Sequence, residues 1–309
     1  MYSLYKNNYN NFLHYIHKVY QIKKLFLYIF FLFFATSSHI SASWVIINDD
    51  GTTDIYIQKE TKPYKIKEDK KKPTINITKN LKSKSSKKVI YLTFDDGPLL
   101  GSNNIITVLQ EENVEATMFM VGKHIQKSKS RKKIFQRALN EPLILVANHT
   151  YSHANGRYKH FYSNSERVLL DIQHMDDILF ENDPKYLMAY CRLAGRNVFR
   201  LPSIKRDDYG IKNESEAYNA LWDAGYHIYG WDYQWSYNPK NGEIYKSPYE
   251  LAQVIERIHK KGKTRTKGKF ILLMHDFSFR DKFDGKEILR TLIQELKYLG
   301  WKFKTLTSY

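Results

Sequence analysis

The chain is poor in cysteine, in long apolar runs and, near its amino terminus, in acid. Of its 309 residues only Cys191 is a cysteine, so no intrachain disulfide can staple the fold. Cys191 lies in an apolar run and reads as a small buried hydrophobe. No internal repeat is visible, which argues against a repeat array. The apolar run Leu25–Ala35 (LFLYIFFLFFA) has 11 residues, short of the roughly 20 that a spanning helix needs. Residues 1–42 contain four lysines and no acid.

That run is bracketed in an informative way. Lys23 and Lys24 precede it and Thr36, Ser37 and Ser38 follow it. A basic flank, an apolar core and a small-residue exit describe a secretory leader, with Ala42 as the expected last residue before cleavage. Extending the run to Ile40 gives the alternative, an uncleaved anchor. Either way the sequence predicts an exported protein, in the periplasm, the envelope or outside the cell.

The formal charge of +17 is unevenly spread. Residues 59–88 hold twelve lysines against three acids, and the remainder outside this segment and the leader carries only about +4. This Lys/Ser/Thr-rich segment reads as a solvated linker that can touch an anionic membrane or wall polymer. It lacks the arginine–aromatic interleaving of a specific nucleic-acid site. Three segments follow: 1–42 as leader or anchor, 43–88 as tail, with a short strand pair around Asp50-Gly51, and 89–309 as the folded body.

From Val89 onward, apolar runs alternate with helical spacing. Strands are expected at Val89–Phe94, Ala116–Val121, Leu143–Ala147, Leu187–Cys191, His227–Trp231, Phe270–Met274 and Trp301–Leu306. Helices are expected at Asn104–Glu111, Lys127–Leu139, Ser165–Leu179, Ser215–Ala224, Tyr249–His259 and Lys286–Leu299. Such alternation implies right-handed βαβ units, hence an α/β fold: a distorted (β/α) barrel of about seven parallel strands, or an open sheet. In both, active groups gather at the carboxyl ends of strands.

Chemistry-bearing residues stand at three of those ends. The first strand runs into Thr93-Phe94-Asp95-Asp96-Gly97-Pro98. Two adjacent carboxylates after a buried strand need charge compensation, most simply a divalent cation. Adjacent strand side chains diverge, so one acid can bind metal while the other acts as a base. The third strand runs into Asn148-His149-Thr150-Tyr151-Ser152-His153. Two histidines four apart face one way on a helical turn and can share a metal. Asp96, His149 and His153 make a two-His, one-carboxylate set with open positions for water and substrate. His275 ends the Phe270–Met274 strand and suits a general acid. His124, His160, His174, His227 and His259 have no such context and read as surface or helix residues.

At these residues the chain resembles the polysaccharide deacetylases, the NodB-like family 4 carbohydrate esterases, from about Lys88 to Thr307. Thr93–Pro98 is similar to their first signature, His149–His153 to their second and Leu272-Leu273-Met274-His275 to their last, in the family's order. The resemblance implies that Asp95 is the base and that Asp96, His149 and His153 hold the metal, usually zinc, with cobalt or another divalent ion as alternatives. It implies that His275 protonates the leaving amine, that Leu273 lines the acetyl-methyl pocket, and that a backbone N–H near Tyr151 helps hold the oxyanion. The third signature is degraded: Arg192 sits at a strand end without the usual proline, and Arg200-Leu201-Pro202 lacks the glycine. Arg192 is the better candidate to orient Asp95. Asp232 would hydrogen-bond His275, and Trp235 would wall the pocket or stack on a sugar. Ala154 replaces a proline common after the second histidine. The implied activity is deacetylation of an exported, N-acetylated, peptidoglycan- or chitin-like glycan; a different acyl group shares the chemistry. The alternative is a non-catalytic glycan-binding protein that keeps the fold.

Overall fold

A computed structural model describes residues 43–47, 53–57, 88–183, 190–208, 211, 213–238 and 240–309. The expected leader, and the lysine-rich segment apart from Lys88, lie outside these residues, as does the start of the expected Leu187–Cys191 strand. The chain divides into two compact units, Met1–Lys79 and Asn80–Tyr309. In the first, strands β1 (Ser43–Ile47) and β2 (Thr53–Ile57) pair antiparallel, Ser43 opposite Ile57 and Ile47 opposite Thr53. This is the strand pair expected around Asp50-Gly51. Among the described residues no helix is long and apolar enough to cross a membrane.

The second unit is organised by β3 (Val89–Gly97), whose near-continuous apolar run is buried on both faces, as in parallel sheets covered on both sides. β3 pairs in parallel with β11 (Lys269–His275) on one side. On the other it pairs with β12 (Lys302–Phe303) along its first residues and with β4 (Ala116–Met120) along its last. Parallel pairing continues through β5 (Ile144–Asn148), β6 (Tyr190–Cys191) and β9 (His227–Ile228). All six helices expected from periodicity are present. α1 (Ser102–Glu112), α3 (Lys129–Leu139), α5 (Ser165–Asn182), α6 (Ser215–Asp223), α7 (Pro248–Lys260) and α8 (Gly285–Tyr298) end within three residues of the expected bounds. Short helices α2 (Gly122–Gln126) and α4 (Tyr158–Tyr162) were not expected.

Alternation along the strands decides what reaches the site. Ile90, Leu92 and Phe94 pack with Ile105, Leu109, Leu292 and Leu296 of the helices, whereas Tyr91 packs inward with Phe119, Ala147, Tyr229 and Ile271. A strand's side chains alternate between faces, so the inward series continues to Thr93 and Asp95 on β3. It runs from Ile271 to Leu273 and His275 on β11, and from Ala147 toward His149 beyond β5.

The sheet departs from the expected regularity in two places. β7 (Phe199–Leu201) and β8 (Ile204–Arg206) form an antiparallel hairpin, and Arg200 pairs antiparallel with Ile228. The expected strand His227–Trp231 ends at Ile228. Tyr229–Asp232 then carries the chain across to β10 (Tyr233–Gln234), parallel to β11. One segment that changes partners thus distorts the sheet, whose path runs from β10 at one edge to β8 at the other.

Candidate active site

Asp95 is buried, 3% exposed, at the end of β3. The fully buried Arg192, following β6, donates from Nη1 to Asp95 Oδ1 at 2.9 Å and to Thr93 Oγ1 at 2.7 Å. Its Nε and Nη2 donate to the carbonyls of Tyr229 and Gly230 at 3.0 and 2.9 Å, and its guanidinium lies 4.3 Å from the Phe119 ring centre. Burial presses the Arg192 pKa down and the Asp95 carboxylate opposes this. Arg200, the other candidate, is bound to Asp207 and to Asn219, 3.0 Å away, so of the two candidates Arg192 is the one that reaches Asp95.

Asp96 turns the chain with a φ of 74°. Left-handed backbone is uncommon outside glycine, and here it swings the Asp96 carboxylate to the opposite side from a continuing strand. His124, on α2, donates from Nδ1 to the Asp96 carbonyl at 2.7 Å and fastens that turn. Burial opposes ionisation of Asp96, but His149 and His153 beside it outweigh burial and hold its pKa well below the usual carboxylate range.

The histidine spacing works, though not on an α-helical turn as expected. His149 follows β5 directly, Thr150 has a φ of 67°, and His153 opens a 3₁₀ turn with a φ of 52°. Asn148, wholly buried, holds the loop: its Oδ1 accepts from Thr150 N at 2.7 Å, and its Nδ2 donates to Ile172 O and Asp176 Oδ1. Ala154 has a φ of 55°, which a proline ring, locked near −65°, cannot adopt. The missing proline is therefore what this loop geometry demands.

Every amide from 150 to 153 is already engaged. Tyr151 N donates to Asp171 O, Ser152 N to Asp171 Oδ1 and His153 N to Thr150 Oγ1. The expectation of an oxyanion donor near Tyr151 is therefore corrected. The Tyr151 ring also turns aside, stacked 3.7 Å from His174 with its hydroxyl donating to Gln126.

Asp96 Oδ1 lies 3.4 Å from His149 Nε2 and 3.1 Å from His153 Nε2, and the three ligand atoms lie within 4.8 Å of one another. Zinc bonds of about 2.0–2.1 Å at tetrahedral angles place neighbouring ligand atoms roughly 3.3 Å apart. Asp96 Oδ1 is buried and accepts no aligned hydrogen bond from the described residues, an arrangement that is costly unless a cation satisfies the oxygen. His149 Nδ1 donates to the Arg192 carbonyl at 2.8 Å, which leaves the Nε2 lone pair facing the pocket. Burial lowers the His149 pKa, but Asp95 and Asp96 outweigh it and the net shift is upward. The residues present fit a divalent metal.

His275 ends β11 on the inward face, with Leu273 buried two residues before it. Burial pulls the His275 pKa below its ordinary value, against the pull of Asp96 and Asp95. Its Nδ1 is buried with no hydrogen-bond partner among the described residues, and the Tyr237 ring lies 5.1 Å away.

Two expectations fail here. Asp232 does not reach His275: its Oδ1 accepts from Arg265 N at 2.6 Å and its Oδ2 from Ile271 N at 2.7 Å. It lies level with Ile271, four residues before His275, which at about 3.3 Å per residue is roughly 13 Å along the strand. The cause is the early end of β9, which puts Asp232 at the foot of β10 and not at a strand's carboxyl end. Trp235 is 2% exposed, packs edge-on to Phe279 and donates to Lys246 O at 2.9 Å, so it is core and cannot stack on a sugar.

Sequence reasoning missed Asn148, His124 and Asp276. Asn148 adjoins His149 and Asp276 adjoins His275, a signal available in the sequence; His124 had none, since its partner is a backbone carbonyl 28 residues away.

Residues 82–197 match the family model described as polysaccharide deacetylase. The chain is 25% identical over 229 residues to a peptidoglycan-N-acetylglucosamine deacetylase of Bacillus cereus, covering 72% of this chain and 89% of that one. Its fold is similar to a family 4 carbohydrate esterase from Streptococcus mutans, with a TM-score of 0.55 at 20% identity over 71% of this chain and 86% of that one. It is also similar to a pseudoenzyme of family 4 from Bacillus anthracis, with a TM-score of 0.50 at 20% identity over 72% of this chain and 65% of that one. Residues 82–197 thus match the polysaccharide deacetylase family, and the mostly parallel, distorted half-barrel has the fold of the NodB-like carbohydrate esterases of family 4.

Proposed function

We propose that this protein is a metal-dependent hydrolase that removes N-acetyl groups from an exported, peptidoglycan- or chitin-like glycan. The carrying observation is the convergence of Asp96 Oδ1, His149 Nε2 and His153 Nε2 beside an Asp95 held by buried Arg192. A divalent cation, zinc by the nitrogen-rich donor set, supplies Lewis-acid polarisation of the acyl carbonyl and makes water acidic near neutral pH. Arg192 engages Asp95 Oδ1 and leaves Oδ2, 3.6 Å from His149 Nε2, turned to the pocket as proton acceptor. As the water oxygen bonds to the acyl carbon and the C–N bond breaks, His275 delivers a proton to the departing amine, which would otherwise leave poorly. Leu273, on the same strand face, bounds the space for the acyl methyl.

The basic-flanked apolar run Leu25–Ala35 supports export, and the lysines of residues 59–88 support contact with an anionic membrane or wall polymer. The test is acetate release from N-acetylglucosamine oligomers and from peptidoglycan, using metal-stripped protein, protein given Zn²⁺ or Co²⁺, and His149→Ala. Metal-dependent release absent from the variant supports the reading. A family relative is a pseudoenzyme, so Asp95→Asn adds a control: turnover surviving in it would remove Asp95 as base, and no release from the parent with any metal would leave a glycan-binding protein.

A further inference from the structure

The cations of the catalytic unit are unevenly matched. Toward α8 and the carboxyl terminus they pair with acids: Arg290 with Glu111, Lys297 with Glu112, Lys304 with Glu115. Residues 122–139, spanning α2 and α3, contain no acid at all. Lys123, Lys127, Lys129, Lys132 and Lys133 are exposed there, and none forms an ion pair with a described carboxylate. Lys129 lies three and four residues before Lys132 and Lys133, spacings at which like charges on a helix repel. No described carboxylate pairs with these lysines to offset that repulsion.

The strip adjoins the site through its first residues and through Arg131. Gly122 N and Lys123 N donate to the carbonyls of Thr150 and Tyr151 at 3.2 and 2.9 Å, in the loop between the two metal-pocket histidines. His124 holds the Asp96 carbonyl, and Arg131 donates to the Pro98 carbonyl, so the strip is fastened to both ligand-bearing loops. Lys123 Nζ also donates to Asn155 Oδ1 at 2.6 Å. Asn155 lines a cavity of about 450 Å³ with Arg157, His160 and Arg167, and neither arginine there forms an ion pair with a described carboxylate.

We propose that this basic rim is an extended binding surface for a polyanionic glycan, receiving carboxylate-bearing sugars that flank the N-acetylated sugar in the metal pocket. The inference rests on the deacetylase reading for which sugar sits in the pocket. Lysines are flexible point charges that suit a polymer with loosely recurring anions, whereas a single fixed carboxylate favours arginine's fork. The stretch 122–133 has one apolar side chain, Ile125, and it is buried. It therefore offers no aromatic platform for bases and no apolar anchor for a bilayer.

The test compares the full-length protein with K129Q/K132Q/K133Q, whose exposed positions leave the fold intact by circular dichroism. Binding is measured by calorimetry to an oligosaccharide alternating N-acetylglucosamine with glucuronate, and to N-acetylglucosamine oligomers of equal length, at low and high salt. The parent is expected to prefer the anionic oligosaccharide by about tenfold at low salt, to lose the preference at high salt, and to lose most of it in the variant. The tail lysines are common to both proteins, so the difference reports on the rim. Equal binding of the two sugars by the parent, or an unchanged preference in the variant, would overturn the proposal. So would binding to anionic phospholipid vesicles or duplex DNA that the variant loses while the sugar preference is absent. Binding is read without turnover, so absent acetate release sinks the deacetylase reading separately.

Discussion

The guanidinium of Arg192 reaches Asp95 Oδ1 at 2.9 Å from a position with no solvent exposure. Through its main-chain carbonyl the same residue also fixes the His149 ring. The side chain satisfies Thr93 and two carbonyls besides Asp95. A lysine could reach Asp95 but could not serve all four acceptors, because its donors radiate from one nitrogen. Arg192→Lys should therefore lose about 2–4 kcal/mol of stability, since buried acceptors are left unpaired. It should also lower kcat by more than tenfold while leaving metal affinity within a few-fold, because the carbonyl that holds His149 belongs to the backbone. Urea unfolding, acetate release and zinc titration check the three parts, and an unchanged kcat would remove Arg192 from the positioning of Asp95.

Metal binding should register as stability. A ligand that binds only the folded chain stabilises it by about 2.7 kcal/mol at a hundred times its Kd. Zn²⁺ added to stripped protein should raise the melting temperature, and a chelator should reverse the rise. His149→Ala removes one of three ligand atoms and Asp96→Asn replaces the anionic oxygen with a neutral amide one; each should abolish most of the shift. A full shift in either variant would place the metal elsewhere.

The parts of this site legible in sequence share one physical feature: they follow long, buried strands whose period-2 pattern sets both the face and the end. Asp95 is the seventh of the nine residues of β3, and His275 closes the seven of β11. Asp232 was misplaced because β9 and β10 are two residues each, too short for a pattern to mark where one stops. The hairpin of β7 and β8 was missed for the same reason. His149 and His153 were paired correctly for a reason that does not hold here: left-handed residues, not a helical turn, bring them together. The amides of Tyr151 and Ser152 are engaged by Asp171, about twenty residues along the chain, and no local pattern announces that.

Trp235 separates packing from recognition. Buried against Phe279 with its indole N–H satisfied, it should behave as a core residue. Trp235→Ala should cost about 3–5 kcal/mol, the usual range for emptying a large buried aromatic site. Trp235→Phe, which keeps most of the volume, should unfold more easily but leave KM for N-acetylglucosamine oligomers within about twofold, since burial is what the ring contributes. A rise in KM beyond tenfold at unchanged stability would return Trp235 to the sugar site.

Asp276 adds a pH dependence to the same region. Fully buried beside His275, it accepts from Gly101 N at 3.0 Å and from the Ser102 hydroxyl, tying the loop after the aspartate pair to the end of β11. Burial pushes its pKa up to about 6, against the hydrogen bonds that favour the carboxylate. In the unfolded chain the value is about 3.9. Between these values the folded protein keeps a proton that the unfolded chain releases. The contribution to stability is thus fully present below about pH 4 and is lost as pH rises through 6. Two pKa units correspond to about 3 kcal/mol. Asp276→Asn cannot titrate, so the stability of the parent minus that of the variant should fall by up to about 3 kcal/mol between pH 4 and 7. Urea unfolding of both metal-free proteins across that range measures it. A constant difference would mean that Asp276 ionises as easily in the fold as in the open chain, and that the loop it ties is wetter than its burial implies.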